Sequence, residues 1–157
     1  MIDKKDRESV KQIKAAINAC IADNAQLLGK VNLDRLPKNF NYPLRDGDTE
    51  KESADFEGMY FLNAYSENRK PGVVDKNREE ITDPDEIYSG AYGRADINFY
   101  AYSVSGNKGV AVSLNNIQKV KDGERLDGRV SAEDAFDDGF EFDDEDIDGD
   151  DEDDFMN

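Results

Sequence analysis

The chain has 157 residues, 37% of them hydrophobic, with 20 basic and 37 acidic side chains and no histidine. The absent histidine removes Ser-His and Cys-His hydrolytic chemistry and the commonest zinc ligand. The single cysteine, Cys20, leaves neither an internal disulfide nor a metal-binding cysteine pair. The acidity is not evenly spread. Residues 132–157 hold 15 Asp and Glu and no Lys or Arg, leaving 20 basic against 22 acidic side chains in residues 1–131, a net charge of −2. A nearly neutral domain, residues 1–131, therefore carries an acidic tail, residues 132–157.

No apolar run is long enough to span a bilayer, and Met1-Ile2-Asp3-Lys4-Lys5-Asp6 lacks the apolar stretch of a signal peptide. A reducing cytoplasm fits. No glycine-rich phosphate loop is present, and neither a cofactor nor a metal is expected.

The first element is an amphipathic helix. Val10, Ile13, Ile17, Cys20 or Ile21, and Leu27 or Leu28 recur at spacings of three and four, with Asp6 as a candidate cap and Gly29 as a stop. Lys4, Lys5, Arg7, Lys11 and Lys14 decorate its early turns as a solvated face. Residues 30–57, with Pro37, Pro43 and the Arg45-Asp46-Gly47-Asp48 turn, read as loop. Residues 58–65, rich in aromatics and flanked by breakers, read as a strand. Residues 68–86 read as loop with an extended piece at Val73-Val74 and a short helical bend after Asp83-Pro84.

A hairpin is the clearest signal. Residues 92–104 alternate, residues 105–109 turn the chain, and residues 110–117 return. Side chains on a strand alternate with period two. Ala95, Ile97, Phe99 and Ala101 therefore share one face, and Tyr92, Arg94, Asp96, Asn98, Tyr100 and Tyr102 share the other. On the return strand Val110, Val112 and Leu114 point inward, and Ala111, Ser113 and Asn115 outward. Exposed tyrosines along a strand are flat rings on which bases stack whatever their sequence, and nearby cations neutralise phosphate. Tyr92, Arg94, Tyr100 and Tyr102 are the candidate nucleic-acid-contacting residues, with Lys108 at the hairpin tip and Lys119 following the return strand. The structural alternative packs these rings under another element with only their hydroxyls wet.

Like charges repel, so the tail is expected to be disordered. It keeps Phe136, Phe140, Phe142, Ile147 and Phe155, which solubility alone does not require. Asp150, Asp151, Glu152, Asp153 and Asp154 followed by Phe155 suit docking to a partner protein, in which charge steers the encounter and the ring fills a pocket. Asp144, Asp146, Asp148 and Gly149 match the start of a calcium loop, but its twelfth position holds Phe155 instead of a bidentate Glu. An acidic tail also imitates polyphosphate and can compete for the protein's own cationic groove.

The stretches Tyr-Ser-Gly-Ala-Tyr-Gly-Arg-Ala-Asp-Ile-Asn-Phe-Tyr-Ala-Tyr at 88–102 and Gly-Asn-Lys-Gly-Val-Ala-Val-Ser-Leu-Asn-Asn-Ile-Gln-Lys at 106–119 resemble the phage-encoded OB-fold single-stranded DNA-binding proteins. Further matches are Pro-Leu-Arg-Asp-Gly-Asp at 43–48, Gly-Val-Val-Asp at 72–75 and Gly-Arg-Val-Ser-Ala-Glu-Asp at 128–134. The resemblance implies a mainly β fold with an N-terminal helix, an OB-fold-like barrel followed by a disordered acidic C-terminal tail. It also implies a coat for single-stranded DNA in phage replication and recombination inside the bacterial host cell. Its tail would recruit phage or host replication and recombination proteins. Family members carry several dozen residues of strand ahead of the helix, so the barrel would be incomplete here. An upstream start codon is the plainest explanation, ahead of strands supplied by another polypeptide or a degraded copy. An open edge would invite pairing with another chain, a homodimer included.

The expectation from sequence is a sequence-tolerant single-stranded DNA-binding protein without catalytic activity. The alternative is an interaction protein that docks replication or recombination enzymes through its tail, with DNA binding incidental or lost. A nuclease built on Asp75, Asp83 or Asp96 would have carboxylates but no Asp/Glu-Lys motif.

Overall fold

The computed structural model describes residues 1–128, of which Met1–Leu126 form one compact unit. The expectations for the acidic tail, its disorder and docking through Asp150 to Phe155 included, fall outside the described residues. None of the helices among the described residues is long and apolar enough to cross a membrane.

Helix α1 (Arg7–Asp23) starts where Asp6 accepts the backbone N–H of Ser9 at 3.1 Å, which satisfies one of the donors that every helix N-terminus leaves unpaired. Its apolar stripe, spaced for one face, puts Ile17 and Ile21 in the core with Val10, Ile13 and Cys20 packed around them. Asn24 interrupts the helix and donates its side-chain amide to the Cys20 carbonyl at 2.8 Å. A further turn, α2 (Ala25–Leu28), then buries Leu28 and ends at Gly29.

Two open sheets follow. In the first, β1 (Ile2–Asp3) and β3 (Arg45–Asp46) flank β4 (Met59–Phe61), all antiparallel. The Lys4 ammonium fastens this corner by donating to Asp46 and Asp48 at 2.6 Å each. The second sheet is built on the hairpin of β6 (Tyr92–Val104) and β7 (Asn107–Lys121). Its turn is two residues long, with Ser105 at φ 51° and Gly106 at φ 83°. Positive φ at both centres is the turn whose twist matches that of the flanking strands. The far edge of β7 carries β2 (Phe40–Asn41), then Tyr65, then β5 (Gly72–Val74), all parallel to it. Gly109 permits the β2 contact, because a Cβ there would stand 2.5 Å from the Asn41 carbonyl oxygen.

The core lies between the helices and the inner face of the hairpin. Ile17, Ile21, Leu28, Leu44 and Val110 are buried together, with Phe99 and Ala101 half-buried against them. Each fully buried aliphatic side chain contributes about 1.5–3 kcal/mol relative to exposure.

The described residues thus give a mainly β protein with a few helices, whose open sheets do not close into a barrel where an incomplete OB-fold-like barrel is expected. Closure requires the last strand to hydrogen-bond back to the first, whereas β6 pairs only with β7 and its other edge meets no strand among the described residues. Residues 30–57 are more ordered than a loop. They supply β2 and β3, held by tertiary pairing, and a turn of helix α3 (Gly47–Glu50) and a 3₁₀ turn (Ala54–Phe56), capped locally by Asp46 and Ser53. The strand expected over 58–65 shortens to β4, after which the chain crosses to the other sheet at Tyr65.

Candidate nucleic-acid interface

Alternation along β6 puts Tyr92, Arg94, Asp96, Asn98, Tyr100 and Tyr102 on the face opposite the core. Tyr92 and Tyr100 are exposed, and Tyr102 is half-buried beside the Lys38–Asn41 segment. The return strand does not alternate simply. It carries one extra residue at Asn115 and another at Val120, so Ile97 pairs with Leu114 but Asp96 with Asn116, and Gly93 with Lys119 but Tyr92 with Lys121. A bulge residue inverts the facing of everything beyond it. Ile117 and Lys119 therefore turn to the inner face, and Lys121 returns to the tyrosine face.

Tyr65 was not among the residues singled out from sequence, yet the fold brings it to this surface. Its N–H donates to the Val112 carbonyl at 3.1 Å, and its carbonyl accepts from Leu114 at 2.9 Å. That places Tyr65 beside Ser113, whose other neighbour is Asn98 of β6. Residues paired side by side share a face, so Tyr65 and Tyr100 stand on the same side of the sheet, from opposite edges of β7. They line one open cleft together with Ser113, Asn115, Arg69 and the acidic Glu67. Tyr65 is 67% exposed. Its only sequence signal was an aromatic at the end of an apolar run, because the pairing that positions it spans 48 residues of chain.

The cations divide. Arg94 lies on the tyrosine face, Arg69 at the Tyr65–Tyr100 cleft and Lys38 beside Tyr102. Among the described residues these three enter no ion pair. Lys108, opposite Ser103, and Lys119, opposite Gly93, fall on the other face. Lys119 also binds Asp122 at 2.8 Å and lies 5.4 Å from the centroid of the Tyr88 ring. That hydrogen bond raises the Lys119 pKa, and together with the Tyr88 hydroxyl it lowers that of Asp122. Tyr88 donates to Asp122 at 2.7 Å and has Arg125 4.5 Å from its ring centroid, so this cluster clasps the end of the sheet.

The carboxylates weighed for metal chemistry have local roles. Asp75 accepts the backbone N–H groups of Asn77 and Glu79 in a turn, and Asp83 caps a 3₁₀ turn (Pro84–Glu86) through Asp85.

A strand face of exposed tyrosines, with a further tyrosine across the sheet and cations nearby, offers the stacking rings and phosphate-neutralising charges that proteins of the single-strand nucleic-acid-binding class use. Comparison with known proteins agrees with that class. The chain belongs to the family of the Enterobacter phage Enc34 ssDNA-binding protein, whose family model matches residues 1–155. It is 34% identical over 145 residues to protein p50 of Acyrthosiphon pisum secondary endosymbiont phage 1, covering 88% of this chain and 76% of that one. Among solved structures it is similar to the single-stranded DNA-binding protein from bacteriophage Enc34, with a TM-score of 0.64 and 27% identity over 87% of this chain and 74% of the other. The same phage protein in complex with ssDNA aligns with a TM-score of 0.65 at 24% identity, over 80% of this chain and 70% of that one.

Proposed function

We propose that the chain binds single-stranded DNA, without catalysis, along the outer face of the β6–β7 hairpin. Bases stack on Tyr100 and Tyr65, with Tyr102 and Tyr92 extending the track in the two directions. Arg69, Arg94 and Lys38 neutralise phosphates at its rims. Stacking accepts every base, so binding is largely sequence-tolerant. The single observation that carries this reading is the pair Tyr65 and Tyr100, two exposed rings on one face that line the same cleft. Membership of the phage ssDNA-binding family supports it.

In this reading the protein coats single strands during phage DNA replication and recombination in the cytoplasm of the host. The acidic tail, residues 132–157, competes with DNA for the groove and recruits replication or recombination proteins, with Phe155 as the apolar anchor.

Titration of a labelled single-stranded oligonucleotide at low salt, followed by fluorescence anisotropy, tests the groove. Binding by the wild-type chain, weakened about tenfold or more by Tyr65→Ala and by Tyr100→Ala, supports it. Binding undiminished in both variants would place the DNA elsewhere.

A further inference from the structure

Asp96 is the only acidic side chain on the outer face of β6, in the middle of a surface proposed to carry a polyanion. Its carboxylate is exposed, and no cation among the described residues pairs with it. It is nevertheless held in place. Asn116 Nδ2 donates to Asp96 Oδ2 at 2.9 Å, and Asn115 Nδ2 approaches Oδ1 at 3.5 Å. Both amides reach it because the extra residue at Asn115 lets two consecutive side chains of β7 address one residue of β6. Asn115 also lines the Tyr65–Tyr100 cleft. The carboxylate therefore begins where the stacking platform ends.

An ionised carboxylate offers about four acceptor sites and no donor. Two are taken by the amides, and the remainder face solvent. A phosphate passing over Asp96 would be repelled, so the group suits the base side of the track while the cations mark the phosphate side. Bases differ in what they present to an acceptor. Cytosine and adenine carry an exocyclic amino group that donates to Asp or Glu, whereas thymine carries a carbonyl oxygen at the corresponding position. Single strands expose these edges because their bases are unpaired.

We propose that Asp96, oriented by Asn115 and Asn116, is a specificity-determining residue that selects bases bearing an exocyclic amino group and discriminates against thymine. This rests on the proposed DNA groove and adds a modest bias to otherwise sequence-tolerant stacking.

The test uses the full chain, oligo-dC and oligo-dT of equal length, and anisotropy titrations at about pH 8, where cytosine stays neutral. The wild type is expected to bind oligo-dC about fivefold tighter than oligo-dT, within the range of one good base-edge contact. In Asp96→Asn the dC-to-dT ratio falls to about one, mainly through tighter oligo-dT binding as the repulsion of the thymine carbonyl is relieved. A wild type that binds both equally overturns the inference and leaves the DNA groove standing. An equal gain on both oligonucleotides in Asp96→Asn also overturns it, because the carboxylate then acts only as an electrostatic brake. A wild type that binds neither overturns the DNA reading itself. Matched thermal melts confirm that the near-isosteric variant is folded, and the wild-type ratio tests the proposal without any variant.

Discussion

Lys121 Nζ lies 4.6 Å from the centroid of the Tyr92 ring, so the tyrosine at the start of β6 already has a cation over one face. The contact depends on the extra residue at Val120, which returns Lys121 to the tyrosine side of the sheet directly opposite Tyr92. A base stacking on that face must first displace an ammonium group, whereas no cation is stacked on Tyr100 or Tyr65 among the described residues. Tyr92→Ala should therefore weaken single-strand binding about threefold or less, against about tenfold or more for Tyr100→Ala. Anisotropy titrations of the two variants give the ranking, and the reverse order would move the stacking centre to the other end of the hairpin.

The cations should separate by salt dependence. On a single strand, each cation that neutralises a phosphate steepens the fall of log Kobs with log salt by about 0.7. Arg69→Ala and Arg94→Ala should each make the slope shallower by about that amount. Lys119→Ala should leave the slope nearly unchanged, because Lys119 is on the inner face and paired with Asp122. Titrations over a series of salt concentrations decide the matter.

Stability should depend on the helix–hairpin contact. Ile17 is fully buried in the shared core, so Ile17→Ala should cost about 2–5 kcal/mol in urea unfolding. Val104, 64% exposed beside the hairpin turn, provides the contrast: Val104→Ala should stay within about 0.5 kcal/mol of wild type.

The Lys4 corner predicts a pH dependence. Hydrogen bonds from the Lys4 ammonium hold Asp46 and Asp48 below their ordinary value of 3.8. A carboxylate with a depressed folded pKa contributes stability above its unfolded pKa and loses it as pH falls through the folded one. The same bonds, to Asp46 first and then Asp48, raise Lys4 above 10.5. Its contribution is therefore whole below 10.5 and is lost only as pH rises further. The melting temperatures of wild type and Lys4→Met should differ most between about pH 5 and 10 and converge as the pH falls below 3.8. A constant difference across that range would mean that packing, not charge, fastens the corner.

If the tail competes with DNA, deleting residues 132–157 should raise single-strand affinity at low salt, and the gap should narrow as salt screens both partners. Equal affinities of the full and shortened chains at low salt would remove the competition and leave partner docking as the tail's role.

What the sequence determined by itself were the features whose cause is local. The stripe from Val10 to Ile21 marked α1 because helix periodicity is written in neighbouring residues, and Asp6 marked its start. The alternation of residues 92–104 set the facing of Tyr92, Arg94, Asp96, Tyr100 and Tyr102, since β6 has no extra residue to disturb it. The charge count separated tail from domain. Tertiary structure alone decided what depends on pairing across the chain. Simple alternation carried past Asn115 would put Lys119 on the tyrosine face, and a single extra residue in β7 inverts it, because period two has no tolerance for an odd insertion. Tyr65 joined the site through a bridge to Ser113 that nothing near it in sequence announces. The same bulge brings Asn115 and Asn116 to Asp96. The tyrosine face was thus legible from β6, but its second wall and its fixed carboxylate exist only once β7 has chosen its partners.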